Sequence, residues 1–146
     1  MTLVGDTADQ VAAAQRQMVR IGIDRPAGAA DGGLDTWAAG GDVRSYRTAT
    51  FADLADARDD AGVVVLDVRR DDEWAVGRIH GAVHIPLHDL EARLDEVPHG
   101  EVWVHCASGY RASIAASLLD RAGRTIVAID DEWAAAKHDA LGVSTD

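Results

Sequence analysis

Apolar residues recur at helical spacing at Val11, Ala14, Met18 and Ile21, which predicts an amphipathic helix over residues 8–21, ended by Gly22. The stretch that follows, GIDRPAGAADGGLDTWAAGGD, is rich in Gly, Ala and Asp and is expected to break regular structure. From Tyr46 the texture changes. Thr50 and Asp53 are spaced as a capping box for a helix through about Arg58. VVVLDV (63–68) is a continuous β-branched run between Gly62 and charged residues, the pattern of a strand buried on both faces of a parallel sheet. Asp71 is placed to cap a short helix, DDEWAV, stopped by Gly77. Ala82–Pro86 reads as a short strand, and Leu87, Leu90 and Leu94 mark another helix. EVWVH (101–105) and Thr125–Ile129 read as two more buried strands. Between them Ile114, Ala115, Leu118, Leu119 and Ala122 form one apolar helix face, closed by Gly123; a last helix covers Asp131–Ala140.

Strands alternate with helices, so the expected fold is α/β: a central parallel sheet of about five strands with helices on both faces. In such sheets, sites form at the carboxyl ends of strands. There is also an internal echo. Residues 14–41 run helix, Gly22, connection, Gly32-Gly33, Trp37, Gly40, and residues 112–142 run helix, Gly123, strand, Asp130-Asp131, Trp133, Gly142. The chain is therefore read as an arm, 1–45, and a main domain, 46–146.

The length, 146 residues, suits one compact domain but not two full ones. A formal net charge of -11 repels nucleic acid and anionic membranes, so neither is expected as a partner. No stretch approaches the ~20 apolar residues needed to span a bilayer. The N-terminus, MTLVGDTADQ, lacks a basic segment leading into an apolar one, so a cytoplasmic protein is expected. The single cysteine rules out an intramolecular disulfide and a cysteine metal cage. His80, His84 and His88 recur every four residues, but Gly81 and Pro86 forbid the helix that would align them, and no metal or cofactor is expected.

That one cysteine lies in VHCASGYRAS. Cys106-Ala107-Ser108-Gly109-Tyr110-Arg111 joins a buried strand to a helix, and Ser108 and Gly109 are small enough to let the loop curl with its N–H groups towards the sulfur. The helix starting near Arg111 aims its positive end at the same point, and Arg111 adds a charge or braces the loop. Each feature favours a thiolate, so Cys106 is expected to be a nucleophile in an anion-binding cup. The bland alternative is a small buried core residue.

This run resembles the active-site loop of rhodanese domains. Residues 63–86, VVVLDVRRDDEWAVGRIHGAVHIP, resemble the family's upstream signature, and the likeness spans about residues 46–142. It implies a sulfurtransferase. Cys106 takes the outer sulfur of a small donor such as thiosulfate, a persulfide forms, and cyanide or a thiol accepts the sulfur. It also implies substrate contacts from Ala107, Ser108, Gly109, Tyr110 and Arg111, and an anion contact from Arg69; Asp67 is read as ordering the loops. Related cysteine phosphatases place Arg six positions after Cys, whereas Arg111 is five after Cys106, so a phosphatase or arsenate reductase is the weaker alternative. A sulfur-carrier or regulatory module is a third reading. Asp130-Asp131-Glu132-Trp133 departs from the family's Gly-Gly before Trp, while Gly32-Gly33-Leu34-Asp35-Thr36-Trp37 has it. Residues 1–45 thus resemble the tail of a second, incomplete repeat, one that would pack on the main domain, on a second copy in a homodimer, or on a parent fusion domain. His105 is expected to point away from Cys106, Trp74 and Trp103 to be core, Glu101 and Asp130–Glu132 to be solvated surface, and Tyr110 to sit at the loop's lip.

Overall fold

The computed structural model describes residues 2–20, 26–41, 45–136 and 141–145. Ile21 and Gly22, at the end of the first predicted helix, and residues 137–140 of the last lie outside the described residues. The chain divides into two compact units, Met1–Ser45 and Tyr46–Asp146.

In the first unit, β1 (Thr2–Val4) leads into α1 (Ala8–Val19), followed by β2 (Gly28–Ala30) and α2 (Gly33–Ala38). Thr7 and Gln10 form the capping box that starts α1. β1 and β2 pair in parallel, Leu3 opposite Ala29. The Gly-rich stretch thus holds a strand and a short helix that its composition conceals. The amides of Gly32 and Gly33 donate to the carbonyls of Asp6 and Gly5, tying the segment after β2 to the loop after β1.

The second unit is built on five parallel strands: β3 (Arg47–Ala49), β4 (Val63–Asp67), β6 (Val83–His84), β7 (Glu101–His105) and β8 (Thr125–Ile129), in the order β3-β8-β7-β4-β6. Alternation along β7 sends Val102 and Val104 to one face and Trp103 to the other. On the first face lie α5 (Leu87–Leu90) and α6 (Tyr110–Arg121), whose Ala112, Ala115, Ala116 and Leu119 are buried. On the other lie α3 (Phe51–Ala57) and α7 (Trp133–Ala136), which bring Phe51, Leu54 and Ala136 against Trp103, Val127 and Ile129. Thr50 and Asp53 cap α3 as the spacing predicts. A small antiparallel pair, β5 (Arg78–Ile79) with β9 (Val143–Ser144), has no counterpart in the sequence reading.

Several details differ from expectation. The short helix α4 (Asp71–Ala75) is capped at Arg70, with Asp71 its first residue. Ile114 is exposed and Ala122 too, because α6 turns Ala112, Ala115, Ala116 and Leu119 to the sheet. Asp131 is not merely solvated: its carboxylate accepts from the Phe51 amide at the start of α3 (3.2 Å). Trp74 is only half-buried, stacked on His84 with centroids 4.5 Å apart. Glu101 accepts from the buried Trp103 indole (2.8 Å). Among the described residues no helix is long and apolar enough to cross a membrane.

Candidate active site

Cys106 follows β7, the middle strand, at the carboxyl end of the sheet. It is only 2% exposed and packs among core residues. The amide that reaches its Sγ, at 3.4 Å, belongs to Ala112, the third residue of α6. A first-turn amide has no partner inside its own helix, so it is free to donate outward. The expected inward amides of the loop are thus represented by one from the helix that follows. Gly109 has φ 78°, and a Cβ there would lie 2.4 Å from Asp130 Oδ1, so only glycine fits this turn. Ala107 accepts from the Trp133 amide (2.8 Å), and Ser108 forms a backbone bridge with Glu132. Residues 130–133, where the resemblance leads one to expect Gly-Gly, therefore clamp the loop. Tyr110 is 75% exposed at its lip.

Arg111 turns its guanidinium to Glu73 of α4 in a two-pronged pair, 2.6 and 2.8 Å. That pair holds the Glu73 carboxyl down to about 2. Arg111 is held above its ordinary value first by Glu73, with the Cys106 sulfur adding to the effect. Arg111 thus stands between a carboxylate and the thiol.

Beneath the loop, Asp67 and Arg69 are buried together. Arg69 donates to the Asp67 carboxylate through Nε (2.9 Å) and Nη2 (2.6 Å) and to the Gly77 carbonyl (2.7 Å), and lies 3.6 Å from the Trp133 ring centre. The anion contact that the resemblance implies for Arg69 is not what the structure builds. Its guanidinium is walled in, 1% exposed, and joins the end of β4, the turn at Gly77 and Trp133. His105 points away from Cys106, stacking on Trp133 (5.4 Å) and meeting Phe51 edge-on. Its Nε2 is buried without a hydrogen-bond partner, 3.6 Å from Asp67 Oδ2. Burial pushes the His105 ring below its ordinary value and so keeps it neutral, although the Asp67 carboxylate opposes this.

The model of the rhodanese-like domain matches residues 50–138, which include every residue just described. The chain belongs to the rhodanese-like family. It is 37% identical over 65 residues to "Putative sulfur carrier protein YrkF" of Bacillus subtilis, covering 44% of this chain and 35% of that one. It is 35% identical over 71 residues to a protein named sulfurtransferase from Allochromatium vinosum, covering 48% of this chain and 64% of that one. The crystal structure of a rhodanese-related protein from Thermoplasma volcanium superposes with a TM-score of 0.62 at 26% identity, over 69% of this chain and all of the other. The chain thus spans about a third of the first relative and under two thirds of the second.

The rhodanese-like loop brings Cys106, Gly109 and Arg111 together and leaves Ser108 and Tyr110 on its outer side. Two contributors escape sequence reasoning. Glu73 is visible only as one of three acids opening a short helix, and nothing in the sequence aims it across 38 residues at Arg111. In the sequence Trp133 stands out only as the tryptophan after Asp130-Asp131-Glu132, yet it is the plate on which both Arg69 and His105 lie. Among the described residues no group of His, Cys, Asp and Glu is arranged to hold a metal ion.

Proposed function

We propose that this rhodanese-like chain is a sulfurtransferase that carries a sulfane sulfur on Cys106. The observation that supports it most is the seating of Sγ at the foot of the strand-to-helix loop, within reach of the Ala112 amide and beside Arg111. The thiolate attacks the outer sulfur of a donor such as thiosulfate. A Cys106 S–S bond forms, the donor's S–S bond breaks, and sulfite leaves with the electron pair. The new terminal sulfur is an anion in the positive end of α6, where the loop residues 107–111 surround it. Cyanide or a thiol then attacks that sulfur and regenerates the thiolate. Arg69 serves as a positioning residue that holds Asp67 and Trp133 under the loop. The protein acts in the cytoplasm, without a metal or cofactor.

The sulfur-carrier reading is the second, because every guanidinium paired at the loop is already neutralised, which lowers attraction for small anions. A phosphatase or arsenate reductase is disfavoured by the short loop, which Asp130 packs tightly at Gly109. Residues 1–45 are proposed to be the end of an incomplete second repeat. The order β1–α1–β2–α2 and its parallel pair match β7–α6–β8–α7, and in both the loop after the first strand accepts from amides after the second.

Intact-mass measurement after adding thiosulfate tests the main reading. A gain of one sulfur (~32 Da) in wild type, absent in Cys106→Ser and removed by cyanide, is expected. No gain with any sulfane donor, together with hydrolysis of an aryl phosphate, would replace it with the phosphatase reading.

A further inference from the structure

Two acidic stretches touch the Cys106 loop. Asp71, Asp72 and Glu73 open α4, which reaches the loop through the Glu73–Arg111 pair. Asp130, Asp131 and Glu132 reach it through Asp130 against Gly109 and Glu132 against Ser108. Against these six carboxylates stand Arg70 and Arg111, with Arg93 and the His84 ring facing Asp71 from farther away. The first two are already paired, Arg70 with Asp72 and Glu73, Arg111 with Glu73. The remaining arginine under the loop, Arg69, is closed in by Asp67. The rim of the cup is therefore net negative, in a chain whose charge is already -11. Beside the loop lies a cleft of about 310 Å³ lined by Tyr46, Thr48, Ser108, Gly109, Tyr110 and Asp130. It offers two aromatic rings and a carboxylate, surfaces suited to an extended chain with a basic side chain rather than to a compact dianion.

We infer that the natural sulfur partner of Cys106 is a polypeptide whose cysteine is flanked by lysine or arginine, recognised by this acidic rim and cleft. The inference rests on the sulfur-transfer reading above and names the partner's chemistry. The step is a displacement that needs no further reagent. The Cys106 thiolate attacks the outer sulfur of the partner's persulfide, the new S–S bond forms as the partner's breaks, the partner departs as its thiolate, and the proton on the transferred sulfur travels with it. The opposite charge of the rim speeds encounter with a basic partner and slows that with thiosulfate, an effect that salt screens over about 8 Å.

The test uses the full chain and two synthetic peptides, each bearing a cysteine persulfide, one flanked by lysines and one by glutamates. The rate at which Cys106 gains ~32 Da is followed by intact mass at low and at about 0.5 M salt, beside thiosulfate. The lysine peptide is expected to react at least about tenfold faster than the glutamate peptide at low salt, and within about twofold at high salt. The exposed pair Asp130→Asn with Glu132→Gln should narrow the low-salt gap severalfold, with unchanged thermal unfolding showing that the fold is intact. Equal rates for the two peptides at low salt, or thiosulfate outpacing the lysine peptide, would overturn the inference while leaving sulfur transfer standing. Failure of all three donors to label Cys106 would overturn the sulfur-transfer reading itself.

Discussion

Glu73 and Arg111, 38 residues apart in sequence, are joined by two charge-assisted hydrogen bonds of 2.6 and 2.8 Å, and the guanidinium so held stands beside the Cys106 thiol. A forked pair fixes the plane of the guanidinium as well as its place. α4 thereby sets where positive charge falls in a loop carried by α6.

Glu73→Gln should leave Arg111 free to swing. Persulfide formation on Cys106 is expected to slow about 10- to 100-fold, since small misplacements at a reacting centre are costly. Glu73→Asp should recover part of the rate. Stopped-time mass labelling with a sulfane donor reads both variants, and unchanged rates in Glu73→Gln would show that Arg111 does not depend on this partner.

The same pair gives a pH dependence of stability. The Glu73 carboxyl titrates at about 2 in the fold against an ordinary 4.5. A depressed carboxyl stabilises the fold fully above 4.5, and that contribution is lost as pH falls from 4.5 towards 2. Urea unfolding should find wild type more stable than Glu73→Gln by on the order of 1–3 kcal/mol near neutral pH, with the gap narrowing from about pH 4.5 and closed near pH 2.

His105 acts in a different window. Burial holds its ring below the ordinary 6.5, so the unfolded chain binds the proton more readily than the fold does. Stability is therefore lost as pH falls through 6.5, by up to about 1.4 kcal/mol per pH unit. In His105→Gln this part of the slope should vanish below about pH 6.5, and chemical denaturation at stepped pH would reveal a slope that persists.

Gly109→Ala places a methyl on Asp130 and demands a positive φ from a residue with a side chain. It should cost about 1–3 kcal/mol and most of the labelling rate. Adding Asp130→Ala should restore only part, because the Asp130 Cα remains 3.2 Å from the new Cβ position and the backbone strain persists.

Removing Arg69 leaves a buried carboxylate without its counter-charge. Arg69→Met is expected to destabilise by about 3–5 kcal/mol, and Asp67→Asn in the same chain to recover much of it. Thermal melts of the two single variants and the double would show near-additive losses if Arg69 and Asp67 were independent.

The sheet and its central strands were legible because β4, β7 and β8 are unbroken β-branched or apolar runs, and a strand buried on both faces leaves little else such a run can do. The cysteine loop was legible because its chemistry is local: Cys106, Gly109 and Arg111 lie within six positions. What escaped was written across distance or in weak elements. β2 is three residues of Gly and Ala, which carry no strand preference and pair only because β1 lies alongside. The burial of Arg69 could not be read from the Asp-Val-Arg triplet. It depends on Trp133 and Gly77 arriving from elsewhere in the fold.

The depth of Cys106 changes meaning once cargo is considered. A thiol with 2% exposure is shaded from oxidants and alkylating agents. One added sulfur lengthens the side chain by a single S–S bond, about 2 Å. The empty and filled molecules would then differ in reach rather than in shape, so that an acceptor would meet an outer sulfur that the bare thiol does not offer.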